Sequence, residues 1–128
     1  MNWIDQKIIA VGREAIKDCP RSNKSFHTAI LTSKDYIVSV GINKETCNDD
    51  FAVGWTHKKV HAEFMCIKRF RRYNSIKALG GLTLYSLRFL KDGRLANAKP
   101  CRVCETMLSK NPPKTIIYSS NEGKLIKS

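Results

Sequence analysis

The apolar positions of the chain change period several times, and each change marks an element. Ile4, Ile8, Val11, Ala15 and Ile16 recur close to the helical interval, so the first eighteen residues predict an amphipathic helix. The polar cluster Cys19-Pro20-Arg21-Ser22-Asn23 stops it. In "HTAILTSKDYIVSVGIN", Ala29 and Leu31 alternate with Thr28, Ile30 and Thr32, and the β-branched run Ile37 to Val40 follows a turn at Ser33-Lys34-Asp35. This predicts two strands joined tightly. From Asn43 to Thr56 the chain is rich in turn formers, a length of loop that is more often functional than not.

The helical period returns with Val60, Phe64, Ile67 and Phe70, predicting a helix from near Lys58 to Arg72. "LTLYSLRFL" after Gly80-Gly81 reads as a third strand, and Lys91-Asp92-Gly93-Arg94 as a turn of hairpin type. A helix is expected over Cys101 to Lys110, stopped by Pro112-Pro113. "KTIIYSS" gives a fourth strand, and Asn121-Glu122-Gly123 turns the chain into a short terminal strand, Lys124 to Lys127. The order α-β-β-α-β-α-β-(β) implies an α/β fold, a mixed sheet of four to five strands with helices packed on it.

At 128 residues and 42% hydrophobic content, the expectation is one domain spanning 1–128. No run of roughly 18 apolar residues is present, so no membrane span is expected. The charged N-terminal stretch lacks the apolar region of a secretory signal. Five cysteines, an odd number, fit a reducing, cytoplasmic setting with free thiols or a metal better than a disulfide framework. The net charge of +12, with a pI of about 9.7, points to an anionic partner, nucleic acid or nucleotide; solubility is the plainer use of the same charge.

Two short motifs carry the chemistry. His61-Ala62-Glu63 opens the second predicted helix and Pro100-Cys101-Arg102-Val103-Cys104 opens the third. Two thiolates and an imidazole, from Cys101, Cys104 and His61, are donors that zinc accepts. Three protein ligands with a water in the fourth position is the pattern of a catalytic site. A helix N-terminus favours thiolates there. Glu63, beside the metal, is placed to take a proton from that water. A structural zinc site would need a fourth donor, for which Cys66, Cys47, His57 and His27 are available.

Together and in this order, the motifs resemble the zinc-dependent nucleobase deaminases, the cytidine and deoxycytidylate deaminase superfamily. The resemblance runs from about Phe26 to Ser119 and implies the three-layer α-β-α fold of that family, a Zn2+ cofactor on His61, Cys101 and Cys104, and Glu63 as the catalytic proton carrier. It implies hydrolytic deamination at C4 of cytosine, the default, or C6 of adenine. Asn43 matches the family's substrate-holding asparagine at the end of the first hairpin. The segment 64–99 between Glu63 and Pro100 is longer than is common in the family, with the surplus in "RFLKDGRLANAK" beside the expected active-site mouth.

Further substrate-contact candidates are Phe51 and Trp55, placed to stack on a base or to anchor their own loop, and Arg88, Arg94 and Lys99, placed for phosphates. "KRFRRY" (68–73) is a denser positive run, equally a solvated helix end. The charge leans the substrate toward single-stranded nucleic acid. The terminal hairpin resembles the free-nucleoside branch of the family, which leaves a free nucleotide or nucleoside as the alternative. A basic zinc domain that binds nucleic acid without turnover is a third reading, and Glu63 is the residue it does not need. The oligomeric state is not legible in the sequence.

Overall fold

The computed structural model describes residues 2–19, 25–43, 62–99 and 112–127. Helix α1 (Trp3–Ala15) begins where the Asn2 side chain accepts a hydrogen bond from the Asp5 amide at 2.8 Å, and it continues into a 3₁₀ turn, Ile16–Asp18. Strands β1 (Ser25–Ser33) and β2 (Tyr36–Ile42) form an antiparallel hairpin whose turn residue Lys34 takes a left-handed φ of 57°. Helix α2 (Ala62–Arg71) is followed by a 3₁₀ turn, Ile76–Gly81, capped by the Ser75 hydroxyl. Strand β3 (Thr83–Leu90) folds back through a turn with Gly93 at φ 90° into the two-residue β4 (Leu95–Ala96). Strands β5 (Thr115–Ser119) and β6 (Leu125–Lys127) complete the described elements.

The strand order is β2-β1-β3-β5-β6, with β4 pairing on β3 beyond the end of β5. All pairings are antiparallel except β3 with β5, which is parallel. The sheet is therefore mixed, as expected, and has six strands among the described residues rather than four or five. The extra strand is β4, which two residues of sequence are too few to announce. The expected terminal strand is present, and it runs antiparallel to β5. The expected helix over Cys101 to Lys110 and nearly all of the loop from Asn43 to Thr56 lie outside the described residues.

Both faces of the sheet are covered. Ile4, Ile8, Val11, Ala15 and Ile16, the apolar stripe of the first helix, pack on Phe26, Ile30, Ile42, Tyr85, Leu87 and Phe89. On the other face, Ala62, Cys66, Ile67 and Phe70 of α2 pack on Ala29, Leu31, Leu84 and the partly buried Ile116. The alternation in β1 and β3 thus sorts residues between two cores rather than between core and water, giving the α-β-α layering. In β3 the α2 face carries Leu84, then Ser86, then Arg88, so this apolar layer turns polar toward the end of the strand.

Helix α2 is fastened to β2 at three consecutive residues. The Ser39 hydroxyl donates to the Cys66 carbonyl at 2.7 Å, the Arg69 guanidinium donates to the Val40 carbonyl at 2.8 Å, and Gly41 lies directly against the helix backbone. Cys66 is fully buried, and its thiol contacts the Ser39 carbonyl at 3.4 Å. Burial pushes that thiol up to about 12, against an ordinary 9.0. A buried thiol turned toward β2 serves there as a packing group.

A consequence can be measured. The unfolded chain ionises Cys66 near pH 9 while the folded chain does not, so unfolding releases a proton above that pH. The contribution of this group to stability is present below pH 9 and is lost as pH rises from 9 to about 12. Urea unfolding of the wild type and Cys66→Ala from pH 8 upward should give curves that converge as pH rises. Parallel curves would mean that the thiol ionises in place.

Candidate active site

Glu63 lies in the first turn of α2, where the helix field favours a carboxylate, and it is only 5% exposed. It points at the sheet. Ser86, in the middle of β3 and 1% exposed, donates its hydroxyl to Glu63 Oε1 at 2.8 Å, and the same Oγ lies 3.1 Å from the Ala98 carbonyl. A hydroxyl has one proton for these two acceptors, and the nearer oxygen takes it more strongly. Ala98 stands two residues before Pro100. Glu63, two residues after His61 in sequence, and the segment that runs into the cysteine motif therefore converge on one buried hydroxyl.

That segment is held firmly. The Ser119 hydroxyl donates to the Ala96 carbonyl at 2.6 Å and accepts the Arg88 amide at 3.1 Å, while the Ala98 amide donates to the Ser119 carbonyl at 2.9 Å. The Asn121 side chain accepts the Asn97 amide at 2.8 Å. The last residue of β4 and the irregular chain that follows it, 96–99, are thus tied to β3, β5 and the turn after β5 ahead of Pro100 in the sequence.

One step further along the sheet, Asn43, His27 and Arg88 form a row across β2, β1 and β3, about 7 Å beyond the row that contains Ser86. Arg88 Nε donates to the Ser25 hydroxyl at 3.2 Å, which also contacts His27 Nε2 at 3.3 Å. The Asn43 side-chain carbonyl accepts the His27 amide at 2.9 Å and the Cys19 thiol at 3.4 Å, so that oxygen is committed to β1 and its surroundings. The atom it can offer a ligand is the amide Nδ2, whose contact to the Ser25 carbonyl is long at 3.5 Å.

Of the residues singled out in the sequence, Glu63, Asn43 and Arg88 are brought to the same end of the sheet. Arg94 and Lys99 are not joined to them by any contact among the described residues. Arg94 is at the tip of the β3–β4 hairpin, its Nε 2.6 Å from Asp92, and hydrogen bonds from Arg94, its backbone amide foremost, hold the Asp92 carboxyl below its ordinary value. The tip is anchored to α1, on the face opposite α2, by Arg13 donating to the Gly93 carbonyl at 2.7 Å. Lys99 is exposed, its amide donating to the Asn97 side chain at 3.1 Å. His61, Cys101, Cys104, Phe51 and Trp55 lie outside the described residues.

The basic run 68–73 falls at the C-terminal end of α2, roughly 12 Å along the axis from Glu63. Ser86 and Ser119 are the residues that the sequence reading missed. The available signal was a lone serine within each of two apolar strands, "TLYSLRFL" and "TIIYS", where a buried polar group calls for a partner.

A buried acid at a helix start, tied to the approach to a Cys-x-x-Cys motif, on a mixed sheet with helices on both faces, defines a cytidine-deaminase-like domain. The family model described as the cytidine and deoxycytidylate deaminase zinc-binding region matches residues 2–120, and the chain belongs to this family. A cytidine deaminase from Burkholderia pseudomallei superposes with a TM-score of 0.64 at 14% identity, covering 100% of this chain and 92% of that one. A dCMP deaminase from the cyanophage S-TIM5, solved with dCMP and dUMP, gives 0.62 at 18% identity, covering 94% and 84%. A cytidine deaminase from Mycobacterium leprae gives 0.60 at 18%, covering 99% and 93%. At these identities the likeness is one of fold. No curated protein matches the chain.

Zinc is the metal expected of the family. Two thiols and an imidazole are donors that suit it, and the convergence of Glu63 and Ala98 on Ser86 brings the flanks of both motifs together. Among the described residues, no helix is long and apolar enough to cross a membrane.

Proposed function

We propose that the protein is a zinc-dependent hydrolytic deaminase that converts cytosine to uracil in a free cytosine nucleotide. The observation that carries this reading is the meeting of the Glu63 carboxylate with the approach to the cysteine motif at Ser86. Burying a carboxylate has a hydration cost, and binding nucleic acid alone has no need of this residue. His61, Cys101 and Cys104 would hold the zinc, which when bound makes water acidic enough to serve as nucleophile near neutral pH. Glu63 would carry the two protons of the attacking water in turn, the first to a ring nitrogen of the base and the second to the amino group, which departs as ammonia. Ser86 can follow this exchange: its hydrogen turns from Glu63 Oε1 to the Ala98 carbonyl when the carboxyl itself becomes the donor.

Four observations support a free substrate, three of them a nucleotide. Arg88 is half-buried on the Glu63 side of the sheet, with a hydroxyl as its side-chain partner, so its guanidinium is available to a phosphate. Its row, about 7 Å beyond Ser86, suits the sugar and phosphate of a nucleotide whose base sits at Glu63; Asn43 Nδ2 in the same row would meet the sugar. Strand β6 fills the outer edge of β5 antiparallel, in keeping with the free-nucleoside branch, and the cyanophage neighbour is a dCMP deaminase.

The second reading, cytosine in single-stranded nucleic acid, is favoured by the net charge of +12. Phe51 and Trp55 would stack on bases in that case, with Arg94 and Lys99 on the backbone.

The test offers zinc-loaded protein dCMP, CMP, deoxycytidine, cytidine, adenosine, single-stranded DNA and single-stranded RNA, and detects product by mass spectrometry. Conversion of the monophosphates with little of the nucleosides or polymers is expected. Arg88→Ala should raise KM for the monophosphate about tenfold or more, the loss of one charged hydrogen bond, and leave the nucleoside KM within twofold. Conversion of polymers alone would establish the second reading. Zinc-loaded protein inert toward every cytosine compound would overturn both.

A further inference from the structure

We propose that Ser86 is a positioning residue that sets the orientation of the Glu63 carboxylate relative to the chain entering the cysteine motif. The inference rests on the deaminase reading for its kinetic consequence and on geometry alone for its structural one. The last torsion of a glutamate side chain is broad and two-fold, so packing does not fix the plane of a carboxylate. Here a hydroxyl fixes it: Ser86 Oγ is 2.8 Å from Glu63 Oε1. Ser86 is itself immobilised, 1% exposed in the middle of β3, with Ala29 of β1 on one side and Tyr118 of β5 on the other.

Its second contact makes the residue more than a local support. At 3.1 Å from the Ala98 carbonyl, the same oxygen gauges the separation between α2 and the segment 96–99. Helix α2 carries Glu63 and follows His61; segment 96–99 runs into Pro100 and Cys101. Glu63 and Ala98 are far apart in sequence, yet both touch one atom of a third element. A misplacement of about 1 Å at a reacting group can cost on the order of 100-fold in rate, so loss of this gauge should appear in turnover rather than in substrate affinity.

Ser86→Ala and Ser86→Thr are compared with the wild type. For Ser86→Ala the expectation is a fall in kcat of about 30- to 100-fold with KM within threefold and one zinc per chain by metal analysis. Ser86→Thr keeps the hydroxyl and should recover most of the turnover. Crystal structures of zinc-loaded wild type and Ser86→Ala supply a readout that does not involve activity: the Glu63 carboxylate should rotate and segment 96–99 should shift in the variant. An unchanged kcat, or a raised KM at unchanged kcat, would overturn the proposal. So would a Glu63 carboxylate that keeps its orientation in the Ser86→Ala crystal. If the wild type deaminates nothing, the deaminase reading fails and the two crystal structures still decide whether Ser86 orients Glu63.

Discussion

Glu63→Gln is expected to lower kcat by on the order of 10³- to 10⁴-fold, the range of a lost general acid–base group acting at more than one proton transfer, while the protein stays folded and zinc-loaded. Glutamine keeps the length of the side chain and an oxygen at the Oε1 position, so the Ser86 hydroxyl still has an acceptor. What disappears is the ability to take up and give back a proton. The charge disappears too, and because the site is 5% exposed, that removes a desolvation cost that the wild type carries. The melting temperature should therefore be unchanged or higher, the pattern of a residue kept for activity at the expense of stability. Calorimetry, metal analysis and a turnover assay on the same preparation separate the possibilities. A melting temperature that falls together with zinc content would make Glu63 a structural residue. Unchanged turnover would remove it from the chemistry altogether.

The parts of this architecture that were legible in the sequence are those written in periodicity. The stripe Ile4, Ile8, Val11, Ala15 and Ile16 packs as a unit on the sheet, and "IVSV" and "LTLYSLRFL" are strands. Which face of a strand meets which helix could not be read, because β1 is apolar on both sides: Ala29 and Leu31 go to the α2 core, and Phe26 and Ile30 to the α1 core. Only with α2 in place does it follow that Ser86 and Arg88 share the side of Glu63. The chemistry of the site was legible in outline from two motifs, but its supports were not. Ser86, Ser119 and Asn121 act through hydrogen bonds to segments distant in sequence, and such bonds leave no spacing to recognise. The surroundings of Arg94 could not be read either: the hairpin turn gives it Asp92 as a partner and the Arg13 contact draws the tip to α1.

Gly41 should be the least replaceable position on the inner side of β2, and the sequence does hint at it, since glycine inside a β-branched run often marks a close backbone approach. A Cβ built there would collide with the Cys66 amide nitrogen and the Ala62 carbonyl oxygen, and would lie 2.9 Å from Cys66 Cα. All three are backbone atoms of α2, so no side chain can turn aside and the helix itself must move. At Gly12 the nearest obstacle is the movable end of Leu87, and at Gly80 nothing lies within 4 Å. Gly41→Ala should therefore cost about 3 kcal/mol or more, the upper range for overpacking, and lower the melting temperature by roughly 10 °C. Gly80→Ala should stay within about 0.5 kcal/mol of the wild type. The displaced helix carries Glu63 next to Ala62, so the surviving fold should also lose turnover. That loss should exceed what the fraction unfolded explains at a temperature well below the transition. A Gly41→Ala protein with wild-type melting and turnover would mean that α2 does not rest on β2 at all. The same contact is what sets the depth of Glu63 in the fold.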